Sequence, residues 1–156
     1  MFQDTVASWT SRNGGAVRAS DAPEVAVRLV GSLLALAIAA VHVADQGGVT
    51  SLASPAWIGW GYRLIEVGAV LTALMLLVAR PPWLGWAAGV LLGAGPFIAY
   101  VTSRTVELPG DSEDVGNWGY WVGTVSLVVE AALVVLSIGM LLAWRQRWQA
   151  AAAAAG

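Results

Sequence analysis

WIGWGYRLIEVGAVLTALMLLVA (57–79), RPP (80–82) and WLGWAAGVLLGAGPFIAYVTS (83–103) follow one another through the middle of the chain. Each long block exceeds the about 20 predominantly apolar residues that cross a ~30 Å hydrocarbon core as a helix. Three residues separate them, so the two helices are predicted to be antiparallel neighbours. Working outward, Val25 to Ala44 forms a similar span, with Arg28 near its start and His42 near its end. Trp118 to Trp144 forms another, interrupted only by Glu130. Asp45 to Ala56 and Arg104 to Asn117 are the remaining connections. The predicted fold is all-α: a membrane four-helix bundle with spans at 25–44, 57–79, 83–103 and 118–144.

Composition agrees. Of 156 residues, 58% are hydrophobic and only 12% charged, against about 25% charged in soluble domains. One transmembrane domain, 23–148, accounts for most of the chain. Residues 1–22 read as a flexible cytoplasmic arm and 149–156 as an Ala-rich tail. There is no cysteine, which excludes disulfides and thiolate metal sites. A net charge of -2 offers no broad basic surface, and nucleic acid is not an expected partner. All eight basic residues are Arg, an Ala/Gly/Val/Arg-rich style that suggests a high-GC bacterial genome.

The arginines set the expected direction, because cytoplasmic flanks of spans carry the excess of basic residues. With both termini inside, Arg12, Arg18, Arg28, Arg80, Arg145 and Arg147 are all cytoplasmic. Arg104 then lies in an outer loop beside Glu107, Asp111, Glu113 and Asp114. Trp57, Trp60, Trp118 and Trp121 would form an outer interfacial belt, and Trp83, Trp86, Trp144 and Trp148 an inner one. The expected location is the cell membrane, multi-pass. A competing reading makes the first span a cleaved signal peptide with Ala37-Ile38-Ala39 as processing site.

Helices in lipid approach closely through small residues, and each span has such a face. Gly85, Gly89 and Gly93 recur on the third span; Gly119, Gly123, Ser126, Glu130 and Ser137 share one side of the fourth. Ser32, Ala35, Ala39 and His42 line up on the first, and Gly59, Tyr62, Arg63 and Glu66 on the second. The ionisable residues therefore point into the bundle. Pro96 is expected to kink the third helix.

At ~1.5 Å rise per residue, Glu66 and Glu130 both lie roughly 12 Å below the outer boundary. His42, Asp45, Arg63, Tyr100 and Arg104 fall in the same outer half, so four helices deliver polar groups to one layer. Each ionisable group there costs at least ~2.5 kcal/mol unless paired, protonated or functional. Two readings stay open: Arg63 neutralises Glu66 or Glu130 and His42 bonds Asp45 or a carboxyl, fixing helix register; or the seven residues bind a small ligand, ion or proton. His42, Glu66 and Glu130 are a conceivable metal trio, and Glu66 with Glu130 a conceivable acid/base pair. No nucleophile accompanies them, so a non-enzymatic role is expected and no catalytic residue, metal or cofactor is assigned. A bis-His haem is excluded, His42 being the sole histidine.

In the outer loop, Pro109-Gly110 is a ready turn and the acidic cluster after it reads as a solvated face. Ser103-Arg104-Thr105-Val106-Glu107-Leu108-Pro109-Gly110, Asp114-Val115-Gly116-Asn117-Trp118, Gly123 with Ser126-Leu127, and Glu130 resemble a family of small four-span membrane proteins of high-GC Gram-positive bacteria. Its pattern is SRTVGLPG, DxGxW and GxxSL followed by a membrane-embedded Glu. His42-Val43-Ala44-Asp45 is similar too, while Glu107 stands where the pattern has Gly. The resemblance implies the four-span fold and transfers no activity. Ile65-Glu66-Val67-Gly68 leading into Ala79-Arg80 is similar to DoxX-type four-helix proteins, which implies a third reading, a quinone-linked redox protein. The expected partners are the lipid bilayer and a homo-oligomer or larger membrane complex, in which the chain would act as an accessory subunit.

Overall fold

The computed structural model describes residues 22–155; Arg12, Arg18 and the expected arm up to residue 21 lie outside the described residues. Four long helices carry the described chain: α1 (Ala22–Asp45), α2 (Ala56–Val78), α3 (Trp83–Thr105) and α4 (Trp121–Ala154), with a 3₁₀ turn at Ser112–Asp114. All four are long and apolar enough to cross a membrane, as a multi-pass membrane protein requires.

Local chemistry sets the boundaries. Pro23 lies in the first turn of α1, where its missing N–H costs no helical bond. The helix stops at Gly47 and Gly48, with φ of 87° and 118°, and their N–H groups return to the carbonyls of Ala44 and Val43. Such left-handed glycines satisfy the last carbonyls of a helix. Arg80-Pro81-Pro82 separates α2 from α3, and α3 continues unbroken through Pro96. The fourth helix begins at Trp121, three residues after the expected start, because 116–120 turn instead. It then runs straight through the expected alanine tail to Ala154.

Packing proceeds round a ring. The longest seams join α1 to α2 and α3 to α4; α2 with α3 and α4 with α1 close the ring, and α1 touches α3 across it. The RPP hairpin therefore links neighbours that are not the most extensively packed. The glycines explain this. A Cβ on Gly93 would stand 2.7 Å from the Glu130 carbonyl oxygen of α4, and one on Gly89 would stand 2.5 Å from Ser137 Oγ. Gly85 alone of the three faces α2, at the Leu76 backbone.

The burial pattern is the reverse of a soluble bundle. Leu64 and Leu91 are each 76% exposed, while Ser137, Ser32, Thr72 and Glu130 are buried. A small apolar cluster of Ala35, Ile38, Ala69, Ala73, Leu92 and Leu133 occupies the centre. Ala35 and Ile38 make α1 a full member of the bundle. Exposed apolar surface on this scale marks a lipid-facing protein. Two expectations are corrected. Trp86 is no interfacial anchor: it is 2% exposed and fills the space left by Gly31, since glycine opposite it makes room for an indole. Gly119 is not on a packing face; nothing lies within 4 Å of its would-be Cβ.

Gly93→Ala would push a methyl against the α4 backbone, and overpacking of this kind costs about 1–3 kcal/mol. Its melting midpoint in detergent should fall clearly below wild type. Gly95→Ala, which meets nothing within 4 Å, should hold or raise it. Equal midpoints for the two would mean that α3 approaches α4 through some other face.

Candidate functional site

One end of the bundle carries the 46–55 and 106–120 connections, and there a cavity of about 400 Å³ opens between the helices. Every helix lines it with one stripe at helical spacing. From α1 come Val41, His42 and Asp45; from α2, Trp57, Ile58, Gly61, Tyr62 and Ile65. From α3 come Pro96, Ala99, Tyr100 and Ser103; from α4, Val122, Gly123, Ser126 and Glu130. Residues three and four apart share a helix face, so the spacing itself turns these side chains inward.

Glu130 and His42 form the floor. Glu130 lies nine residues into α4, roughly 14 Å along the axis, and is 1% exposed. Ser126 donates its hydroxyl to Glu130 Oε1 at 2.5 Å, while Oε2 has no partner among the described residues. His42 Nδ1 sits 2.9 Å from the Ile38 carbonyl. A carbonyl only accepts, so the proton is on Nδ1 and a neutral ring presents an acceptor at Nε2. That nitrogen faces Glu130 Oε1 at 3.8 Å. Higher up, Tyr100 lays its ring where Gly123 has no side chain, and its hydroxyl is buried without a partner.

The mouth is built from ties. Arg104, 4% exposed, pairs with Asp114 at 2.5 Å and lies 4.4 Å from the centroid of the Tyr100 ring. Asp45 accepts from the Tyr62 hydroxyl at 2.6 Å and from the Tyr120 hydroxyl, joining α1, α2 and the start of α4. Trp57 Nε1 donates to the Pro109 carbonyl at 3.0 Å. Pro109-Gly110 forms the expected turn: Asp111 N–H returns to Leu108 O and Gly110 has φ 77°, as a type II turn requires. The acidic cluster is more than a solvated face. Asp114 neutralises Arg104, and Asp111 is half-buried at the cavity wall, where burial and then the Asp114 charge raise its carboxyl above the usual range.

The seven candidate residues thus divide. His42, Asp45, Tyr100, Arg104 and Glu130 line the cavity; Arg63 and Glu66 do not. Arg63 holds Glu66 at 2.5 Å one turn along its own helix and also donates to the Ser51 carbonyl. Gln46 donates to the other Glu66 oxygen. Of the two pairings considered for Arg63, the geometry has Glu66. Tyr62 and Arg63 are one residue and therefore about 100° apart on the helix, enough to turn one into the cavity and the other away. With Glu66 engaged there, the trio His42, Glu66 and Glu130 does not converge, and among the described residues no three His, Cys, Asp or Glu side chains do. Glu66 and Glu130 likewise have separate partners, and of the two Glu130 lines the cavity.

Sequence reasoning did not single out Tyr62, Tyr120, Gln46 or Asp114 as site residues. Tyr62 and Ser126 carried a signal in their i, i+4 spacing to Ile58 and Glu130; Asp114 carried one in the DxGxW segment and the acidic cluster near Arg104, while Tyr120 carried none. No family model matches the chain, nor does any of the curated proteins or solved structures compared with it. The chemistry is therefore read from the residues themselves: an apolar and aromatic shaft with a carboxyl and an imidazole at its base.

Arg63→Met should orphan Glu66. Arg63 is 24% and Glu66 11% exposed, so the loss falls between the ~0–1 kcal/mol of a surface pair and the ~3–5 kcal/mol of a buried one, about 2 kcal/mol. Adding Glu66→Gln should restore most of it in a detergent unfolding titration. Rescue by Glu130→Gln instead would show that Arg63 pairs across the bundle.

Proposed function

We propose that this chain is a multi-pass protein of the cell membrane, with cytoplasmic termini, that binds or passes a small solute through the cavity from the outer face. One observation carries the reading: a roomy cavity leads from the loop-bearing end to a fully buried carboxyl whose Oε2 has no partner. Burial without pairing is costly, and ligand sites are characteristically apolar clefts with a few convergent polar groups. In the Arg63, Glu66, Gln46 and Ser51 cluster, by contrast, both carboxylate oxygens of Glu66 are bonded, as a structural tie requires, and the orphaned atom there, Gln46 Oε1, is a neutral amide oxygen. Charge distribution supports the orientation. Arg28 bonds the carbonyls of Leu77 and Ala79 at the end opposite the cavity, alongside Arg80, and Arg147 approaches Glu24 there at 3.9 Å. At the cavity end, Arg63 and Arg104 are each matched by a carboxylate.

The absence of cysteine permits a clean test. Ala99→Cys, on the cavity wall, should react with a membrane-impermeant methanethiosulfonate in intact cells. Val135→Cys, 72% exposed on the lipid side, should stay unreactive because thiolate chemistry needs water. Labelling of Ala99→Cys only after permeabilisation would reverse the orientation. No labelling even in detergent would remove the cavity reading.

A further inference from the structure

We infer that the cavity takes a small protonated amine whose ammonium group is held by Glu130 and His42 and whose body lies against Trp57, Tyr62 and Tyr100. The inference rests on the proposed solute cavity and names the class of solute. Three features carry it.

The first is the mismatch of donors and acceptors at the floor. Glu130 Oε2 accepts from nothing among the described residues, and the neutral His42 ring, with its proton on Nδ1 toward the Ile38 carbonyl, presents a lone pair at Nε2. Among the described residues Ser126 is the donor bonded to Glu130, and its hydroxyl is spent on Oε1; the unpartnered Tyr100 hydroxyl lies higher, at the level of Gly123. An ammonium or amidinium brings the missing N–H groups; an anion or a carbonyl ligand would bring further acceptors.

The second is charge. Asp45, Asp111, Asp114 and Glu130 line the cavity against Arg104 alone, and Arg104 is already neutralised by Asp114. Arg63, which would have offset this excess, is turned away to Glu66.

The third is shape. A bare metal ion needs several oxygens converging on one point, whereas these carboxylates are spread along the shaft. Asp45 is taken by two tyrosine hydroxyls and Asp114 by Arg104. One free carboxyl at the base of an aromatic-walled cavity of about 400 Å³ suits one positive charge on an organic body, since ring faces attract cations.

A proton on Glu130, donated toward His42, would meet the same need without any ligand, and the test separates the two. Phenethylamine, 2-phenylethanol and phenylacetate share a body and differ in charge. Each is titrated against the purified full-length protein in detergent, reading the melting midpoint. Phenethylamine should raise it saturably; the alcohol and the acid should not. Glu130→Gln keeps shape and supplies an N–H to His42, so it should melt like wild type without ligand yet lose amine affinity by roughly tenfold or more. The Arg63→Met/Glu66→Gln variant, altered off the cavity, should keep the amine response. An equal amine response in Glu130→Gln, or tighter binding of phenylacetate, overturns the inference and leaves the cavity reading intact. Failure of all three probes to bind while Ala99→Cys is reactive overturns it in the same way. If Ala99→Cys is unreactive as well, both readings fall.

Discussion

Lipid is as good a solvent for leucine as another leucine is, so nothing apolar drives these helices together. What remains is close contact between small residues and the need to satisfy polar groups. Gly93 against the Glu130 carbonyl is where both meet. The missing side chain lets α3 and α4 approach at backbone distance, and the residue touched on α4 is the one whose side chain forms the cavity floor. Toward the loops the fit changes character. Gly123 is opposed by the Tyr100 ring rather than by backbone, so an aromatic takes up the space between the same two helices. The seam thus ends in a wall that can face a ligand.

The buried charges separate by how well they are matched. Arg63 with Glu66, and Arg104 with Asp114, are short and charge-balanced, and Gln46 and Ser51 satisfy further atoms of the first pair. Pairs of that kind hold register and add little net stability relative to apolar packing. Glu130 is different: among the described residues no cation reaches it, His42 stands off at 3.8 Å, and half its carboxyl is unbonded. A membrane protein that could bury valine there instead carries a group costing at least ~2.5 kcal/mol. The difference between the two kinds of buried charge is the physical ground of the proposal that Glu130 binds a solute while the matched pairs hold the fold.

Much of this was legible in the sequence. Hydropathy and length gave four helices, and counting along them put His42, Glu66, Tyr100 and Glu130 in one layer. Which side chains meet was not legible, because a layer fixes depth and leaves rotation open. Tyr62 and Arg63 share a depth and diverge by about 100°; their rotation is set by Leu52 and Ala53 crowding Gly59 on one side and Asp45 on the other. Trp86 read as interfacial because tryptophan favours that level; its burial depends on Gly31, fifty-five residues earlier, and no local pattern announces such a pairing. The loop residues Asp114 and Tyr120 were beyond periodicity altogether.

The loop is also where stability and access become one problem. Arg104 ends α3 almost wholly buried, and an uncompensated guanidinium there would be expensive. Its counter-charge comes from Asp114, ten residues on, and the Gly116 N–H bonds the Arg104 carbonyl at 2.9 Å. Neutralising Arg104 therefore folds the intervening segment back on the helix end, with the Pro109-Gly110 turn lying against Pro55 and Trp57 reaching the Pro109 carbonyl. This brings Leu108, Asp111 and Asn117 to the cavity wall. The charge that must be matched for the chain to sit in a membrane is thus the charge that shapes the mouth of the cavity, and its pairing leaves there a surface from which the free positive charge has already been removed.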